Sequence, residues 1–332
     1  MIARLSLGLA LCCCLLVPWS GCKSAKPSEL YSHYTGTYPI KATATVGMVA
    51  DMVRAIGGKH LEVTQLVGAG IDPHLYKPNR DDVLAIRSAD IVFYNGFLLE
   101  GKMGDLLGRT ASSRRTHAAA EILSAAELNK NQSEGMHGEP DPHVWMNVAL
   151  WRQVAQGIRD KLVEYDPPHA DDFNAAYQQL DQELDALHQY GIRVMQGVPA
   201  EQRLLVTSHD AFRYFGRAYG IEVQAIQGMS TESEAGLSRI NELVDLLVSR
   251  KVSSVFVESS VPEDSVAALL RGAESRGHTV QIAGKLYSDA MGNAGTYEGT
   301  YIGMMDHNLS TIARALGCTE VPEGGFRESR QP

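Results

Sequence analysis

The sequence predicts an α/β protein with two parallel-sheet lobes joined by one long α-helix. Three observations carry that expectation. Short apolar runs of strand length alternate with amphipathic helical text, the pattern of βαβ units. The alternation breaks off and starts again after residue 200. Between the two halves, Ala170 to Gln196 places Phe173, Tyr177, Leu180, Leu184, Leu187 and Val194 on one stripe, with Asp, Gln and Glu on the other faces. The expected boundaries are 40–168 for the N-terminal lobe, 169–198 for the connecting helix, 199–320 for the C-terminal lobe and 321–332 for a tail.

In the first half, Ile40 to Ala44 reads as a strand, and Thr45 is placed to cap a helix through Val49, Val53 and Ile56 that stops at Gly57-Gly58. Leu61 to Leu66 is a second strand and Ile91 to Asn95 a third, with a helix at Arg80 to Ser88 between them. Asn147 is placed to cap a further helix. Pro167-Pro168 opens the long helix and Gly197-Val198-Pro199 closes it. At 1.5 Å per residue it would run ~40 Å, stiffer than a hinge of two or three strands. The second half has strands at Leu204 to Thr207, Ile221 to Ala225, Val255 to Val257 and Val280 to Ile282. Helices at Glu232 to Ser249 and Glu263 to Ser275 separate some of them, the first with Leu237, Ile240, Val244 and Leu247 on one face.

The first residues are processing text rather than fold. Arg4 supplies a positive start, Leu5 to Val17 is apolar, and Ser20-Gly21 precede Cys22. An apolar run this short, broken by Pro18, makes a poor spanning helix. It resembles a bacterial lipoprotein signal over residues 1–21, with Trp19 where a Leu-like residue is usual, and so implies lipidation of Cys22. The polar stretch 22–39 then reads as a tether. The chain would be exported and held at the membrane, in a periplasm or on a cell surface. Cys12, Cys13 and Cys14 fall in the removed segment, leaving Cys318 as a lone, buried thiol. The formal net charge is -9, which disfavours nucleic acid and leaves no basic patch for an anionic membrane.

Four separated segments each offer one metal ligand in a loop setting: Asp72-Pro73-His74, Asp141-Pro142-His143, Ser208-His209-Asp210 and Tyr287-Ser288-Asp289. His74, His209 and Asp289 follow predicted strands, where open α/β sheets gather their ligands. Two come from each half, so the ion would lie in the cleft between lobes. Three imidazoles and a carboxylate can close a tetrahedral shell around Zn²⁺, or most of a larger one around Mn²⁺. Taken singly, a histidine is more often structural, and His60, His117, His169, His188, His278 and His307 are read so. His33 belongs to the tether and His137 to a solvated loop.

Asp72-Pro73-His74-Leu75-Tyr76, Asp141-Pro142-His143-Val144-Trp145 and Thr207-Ser208-His209-Asp210-Ala211-Phe212 resemble the zinc/manganese-binding lipoproteins that serve ABC transporters as solute-binding components (solute-binding protein family 9, cluster A-I). Gln227 to Glu232, Phe256 to Ser260, Leu286 to Asp289, Gly299-Thr300-Tyr301 and His307-Asn308 continue the match, over about residues 40 to 317. The resemblance implies the two-lobed fold, the metal ligands His74, His143, His209 and Asp289, and an ABC permease as partner. Two departures stand out. The region Lys130 to Pro140 lacks the long His-rich loop of many zinc members, and His209 stands where manganese members usually carry Glu.

The expected function is capture of a divalent transition metal outside the membrane and its delivery to the permease, by a protein that is not an enzyme and is a monomer. Zinc is favoured because it outranks manganese at almost any such site; manganese is next, since Asp289 could bind through both oxygens. Affinity should fall below pH ~6.5, where ordinary imidazoles protonate. Asp72, Asp141, Ser208 and Glu232 stand near enough to orient the ligands. The rival readings are a surface adhesin and a zinc hydrolase. The hydrolase is disfavoured because four protein ligands leave no open position for water, and no His-Glu-x-x-His or Gly-x-Ser-x-Gly motif is present.

Overall fold

Strand β1 (Ile40–Ala44) runs into helix α1 (Gly47–Gly57) and then β2 (Leu61–Gln65), α2 (Arg80–Ser88) and β3 (Ile91–Tyr94). These bounds come from a computed structural model that describes residues 33–111, 115–129 and 138–330. The signal segment, Cys22 and His137 lie outside the described residues. After α3 (Gly104–Ala111), β4 (Arg115–Ala118) completes a parallel sheet of order β2-β1-β3-β4. Ala42 of β1 pairs with Val63 on one side and Ile91 on the other, so β1 is central. Sequence reading missed β4, because Arg115-Thr116-His117-Ala118 has no apolar run. Its strand character comes from pairing with β3.

Local chemistry explains the helix starts. Asn79 accepts from the amides of Asp81 and Asp82, and Asp82 returns a bond to the Asn79 amide, closing a capping box at α2. Asn147 likewise accepts from Ala149 and Leu150 and starts α4 (Val148–Tyr165), as expected. Thr45 does not cap α1. Val46 holds the cap position, while the Thr45 hydroxyl donates to Glu100 Oε1 at 2.6 Å. Both residues are buried, and a buried carboxylate needs donors more than an apolar helix start needs a cap.

The long helix α5 (Ala170–Gln196) has the predicted bounds and buries Phe173, Leu180, Leu184, Leu187, Tyr190 and Val194, with Tyr177 half-buried. Arg152 of α4 is clamped on it by Asp181 (2.8 and 3.0 Å) and Asp185. The second lobe follows with β5 (Leu204–Thr207), α6 (Arg213–Tyr219), β6 (Glu222–Ala225), α7 (Leu237–Ser249), β7 (Ser254–Glu258), α8 (Asp264–Ser275), β8 (Gln281–Leu286), α9 (Tyr301–Ala315) and α10 (Gly325–Ser329). Its strands form two parallel pairs, β5 with β6 and β7 with β8, and β5 touches β7. Gly220, at φ 70°, ends α6 in the left-handed conformation that glycine adopts freely.

Three expectations need correction. Helix α7 starts at Leu237, not Glu232, because residues 230–236 form a loop across the cleft; Leu237 is 74% exposed and lies off the buried face. Residues 33–39 are no free tether, since the Tyr34 amide donates to the Tyr165 carbonyl at 2.7 Å and Tyr38 OH donates to Asp166 at 2.6 Å. The tail folds as α10, where Asp306 accepts from the Phe326 amide at 2.7 Å and Phe326 is buried.

One hydrophobic core runs through both lobes, from Ile40 and Phe93 past Trp145, Trp151 and Leu187 to Phe256, Tyr301 and Leu309. A smaller core lies under α7 and α8. Strand β7 serves both, with Phe256 in the first and Val255 and Val257 in the second, as the alternation of a fully buried strand requires. Cys318 is free and buried, as expected. No helix among the described residues is long and apolar enough to cross a membrane.

Candidate metal centre

The four predicted ligand segments converge. His74 comes from the loop after β2, His143 from the turn before α4, His209 from just beyond β5 and Asp289 from just beyond β8. The two Asp-Pro-His segments use one device. Asp72 Oδ1 accepts from the His74 amide at 2.8 Å, and Asp141 Oδ1 from the His143 amide at 3.0 Å, so each aspartate folds its own turn while proline fixes the residue between. The His209 loop is held by Thr207, whose hydroxyl donates to the His209 carbonyl at 3.0 Å. Asn308 of α9 clamps both the amide (2.9 Å) and carbonyl (2.7 Å) of Tyr287, two residues from Asp289.

All four side chains are buried, His74 being the most exposed at 5%. One ligand atom from each lies within 4.8 Å of the others. His74 Nε2 is 3.3 Å from His143 Nε2 and 3.9 Å from Asp289 Oδ2. Asp289 Oδ1 is 3.3 Å from His143 Nε2, and Oδ2 is 3.1 Å from His209 Nε2. A tetrahedron with zinc–ligand bonds of about 2.0–2.1 Å has edges of about 3.3–3.4 Å. His209 Nε2 and both Asp289 oxygens are buried without a hydrogen bond inside the protein, so their lone pairs are free to face a common point. This donor set suits a divalent cation.

Charge around the cluster follows from burial. His74, with no hydrogen-bonded carboxylate of its own, is pushed down to about 3 by burial, against the pull of Asp289. Burial also opposes charge on His143, but Asp141 and Asp289 outweigh it and raise the imidazole to about 9. His209 is raised well above the usual value by Asp289 and Glu258 against the same burial. Asp289 sits well below the ordinary carboxylate range because His209 and His143 overcome its burial.

Of the four residues expected to orient the ligands, Asp141 alone bonds an imidazole, accepting from His143 Nδ1 at 2.8 Å. Asp72 holds a backbone amide and takes a 2.5 Å bond from Thr231. The Ser208 hydroxyl is unpartnered, and Glu232 lies 2.5 Å from Lys102. Sequence reading missed Glu258, which accepts from the His209 amide at 2.8 Å and from its Nδ1. Its signal was a single carboxylate closing the fully buried strand β7. His60, His117, His169, His188, His278 and His307 lie outside the cluster, as expected.

Of the four cluster residues, His74 lines a cleft of about 280 Å³ together with Phe97, Leu98, Lys102, Met229 and Glu232. A larger pocket, about 500 Å³ between Arg213 and Arg239, includes none of the four residues.

Comparisons with known proteins place the chain among metal-binding proteins. Residues 43–315 match the family model described as zinc-uptake complex component A, periplasmic (ZnuA). The chain is 45% identical to the manganese-binding lipoprotein MntA of Bacillus subtilis over 277 residues, covering 83% of this chain and 90% of that one. It is 44% identical to the zinc-binding protein TroA of Treponema pallidum over 273 residues, covering 82% and 87%. The solved structure of periplasmic zinc-binding TroA from Treponema pallidum superposes with a TM-score of 0.80 at 42% identity, covering 83% of this chain and 99% of that one. Fold, buried three-histidine, one-aspartate cluster and relatives agree: the chain belongs to the ZnuA family and is a metal-binding solute receptor of an ABC transporter, not an enzyme.

Proposed function

We propose that this receptor binds Zn²⁺ through His74, His143, His209 and Asp289 and hands it to its ABC permease. The observation that carries this reading is the convergence of four buried ligand side chains, one atom of each within 4.8 Å of the others, with the shorter separations of 3.1–3.3 Å near the edge of a zinc tetrahedron. Four protein ligands make a closed shell, suited to holding an ion rather than activating water. The donors also favour zinc by the intrinsic order of divalent affinities. Manganese is the second reading, favoured by one observation. Both oxygens of Asp289 face the imidazoles, and binding through both would raise the coordination number to suit Mn²⁺.

The deciding experiment loads the chelator-stripped protein with Zn²⁺ and Mn²⁺ in competition and counts bound metal, beside Asp289→Ala. One zinc per chain, lost in the variant and not displaced by excess manganese, is expected. Stable manganese occupancy against zinc would transfer the assignment to Mn²⁺. No stoichiometric metal would overturn the four-ligand site.

The receptor works as a monomer, held at a membrane in the periplasm or on the cell surface by lipid on Cys22. Labelled fatty acid should enter the wild-type chain in cells and not Cys22→Ala. Equal labelling of both would place the anchor elsewhere.

A further inference from the structure

Trp145 follows His143 by two residues and is fully buried. Its one polar atom, indole Nε1, donates at 2.9 Å to the carbonyl of Ser288 in the other lobe. Ser288 immediately precedes Asp289. A single hydrogen bond therefore joins a side chain of the second ligand segment to the backbone of the fourth. Packing alone does not call for this bond. The neighbouring Trp151 is equally buried, its ring centroid 6.4 Å from that of Trp145, and its Nε1 has no hydrogen-bond partner within the protein.

The tryptophan is itself fixed on three sides. Its carbonyl accepts from Tyr301 OH at 2.7 Å, its ring meets Trp151 edge-on, and it meets the His143 ring edge-on at 5.3 Å. Ser288 is tied in turn through its hydroxyl to Ser260 at 3.0 Å. The bond thus spans two braced points, and a braced bond transmits position rather than following it.

We propose that Trp145 is a specificity-determining, positioning residue that sets how closely Asp289 approaches His143. The 3.3 Å between His143 Nε2 and Asp289 Oδ1 matches a zinc-sized tetrahedral edge, and the Trp145–Ser288 bond keeps the carboxylate backbone at that range. Releasing it lets Asp289 drift outward. Zinc, which gains most from the short tetrahedral shell, should lose more affinity than manganese, which accepts longer bonds and more ligands. The proposal rests on the four-ligand reading above.

Its test is Trp145→Phe, which keeps an aromatic ring and deletes the N–H. A second variant carries 3-benzothienylalanine at 145, with sulfur in place of the N–H at nearly the same shape. Both are compared with wild type in separate Zn²⁺ and Mn²⁺ titrations, and the Co²⁺-loaded forms by visible absorption. Zinc affinity should fall roughly tenfold, the weight of one buried hydrogen bond, with a smaller loss for manganese. The intense absorption of tetrahedral cobalt should weaken. Equal losses for both metals, or no loss, with an unchanged cobalt spectrum in the benzothienyl protein would overturn the proposal. Failure of wild type to bind metal would instead defeat the four-ligand reading.

Discussion

At the scale of single residues, metal binding at the proposed cluster would be coupled to protons. With imidazoles at ordinary values, affinity would level off above about pH 6.5. Here His143 is raised to about 9 and His209 is raised as well, so each holds its proton to a higher pH than a free imidazole when no metal is bound. Metal needs neutral imidazoles and must displace those protons, so the metal-free form binds more protons than the complex and affinity rises with pH. Competition titrations from pH 5.5 upward should show log K still climbing above pH 6.5, because both imidazoles release their protons at higher pH than a free one. A plateau from pH 6.5 would contradict the charge assignment. Glu258→Gln removes the carboxylate from His209 Nδ1 while keeping its shape. Zinc affinity measured by chelator competition should drop roughly 10–100-fold, as is common for the partners of metal-bound histidines.

At the scale of elements, one loop spans the mouth of the site. The loop before α7 crosses the cleft and makes two links to the first lobe, Thr231 to Asp72 and Glu232 to Lys102. Both lie beside His74, the most exposed of the four proposed ligands. Glu232→Gln should speed zinc release in stopped-flow chelation by a few-fold at most, since exposed ion pairs are worth about 0.2–1 kcal/mol. The equilibrium stoichiometry should stay the same, and an unchanged release rate would remove the pair from the gate. Helix α4 depends on its cap. Asn147→Ala should cost about 1 kcal/mol in denaturant unfolding, with metal binding retained.

At the scale of the whole molecule, the shared core resists hinge motion. Besides the continuous core, Asp51 of α1 accepts from the Tyr301 amide at 2.9 Å, and Tyr214 OH donates to the Asp141 carbonyl at 3.0 Å, so polar bonds also stitch the lobes together. Small-angle scattering should give nearly the same profile with and without metal. A large contraction on loading would point to a hinge. Metal should still stabilise strongly, because it binds the folded state alone. At a free concentration a thousandfold above Kd the gain is about 4 kcal/mol, read as a raised melting temperature that chelator reverses.

Read residue by residue, the sequence determined the alternation of strands and helices, the span of α5, and the four segments that meet in the cleft. Those are local facts: apolar period, capping side chains, and aspartates that fold their own turns two residues ahead. Tertiary structure decided the rest, because the deciding partners are far apart along the chain. Strand β4 exists through β3. Thr45 was drawn from its helix to buried Glu100. Glu258 reached His209 from 49 positions away and Trp145 reached Ser288 from 143 away, separations that no periodicity records. The raised imidazoles belong to this class too, since their charge is set by carboxylates that only folding brings within reach.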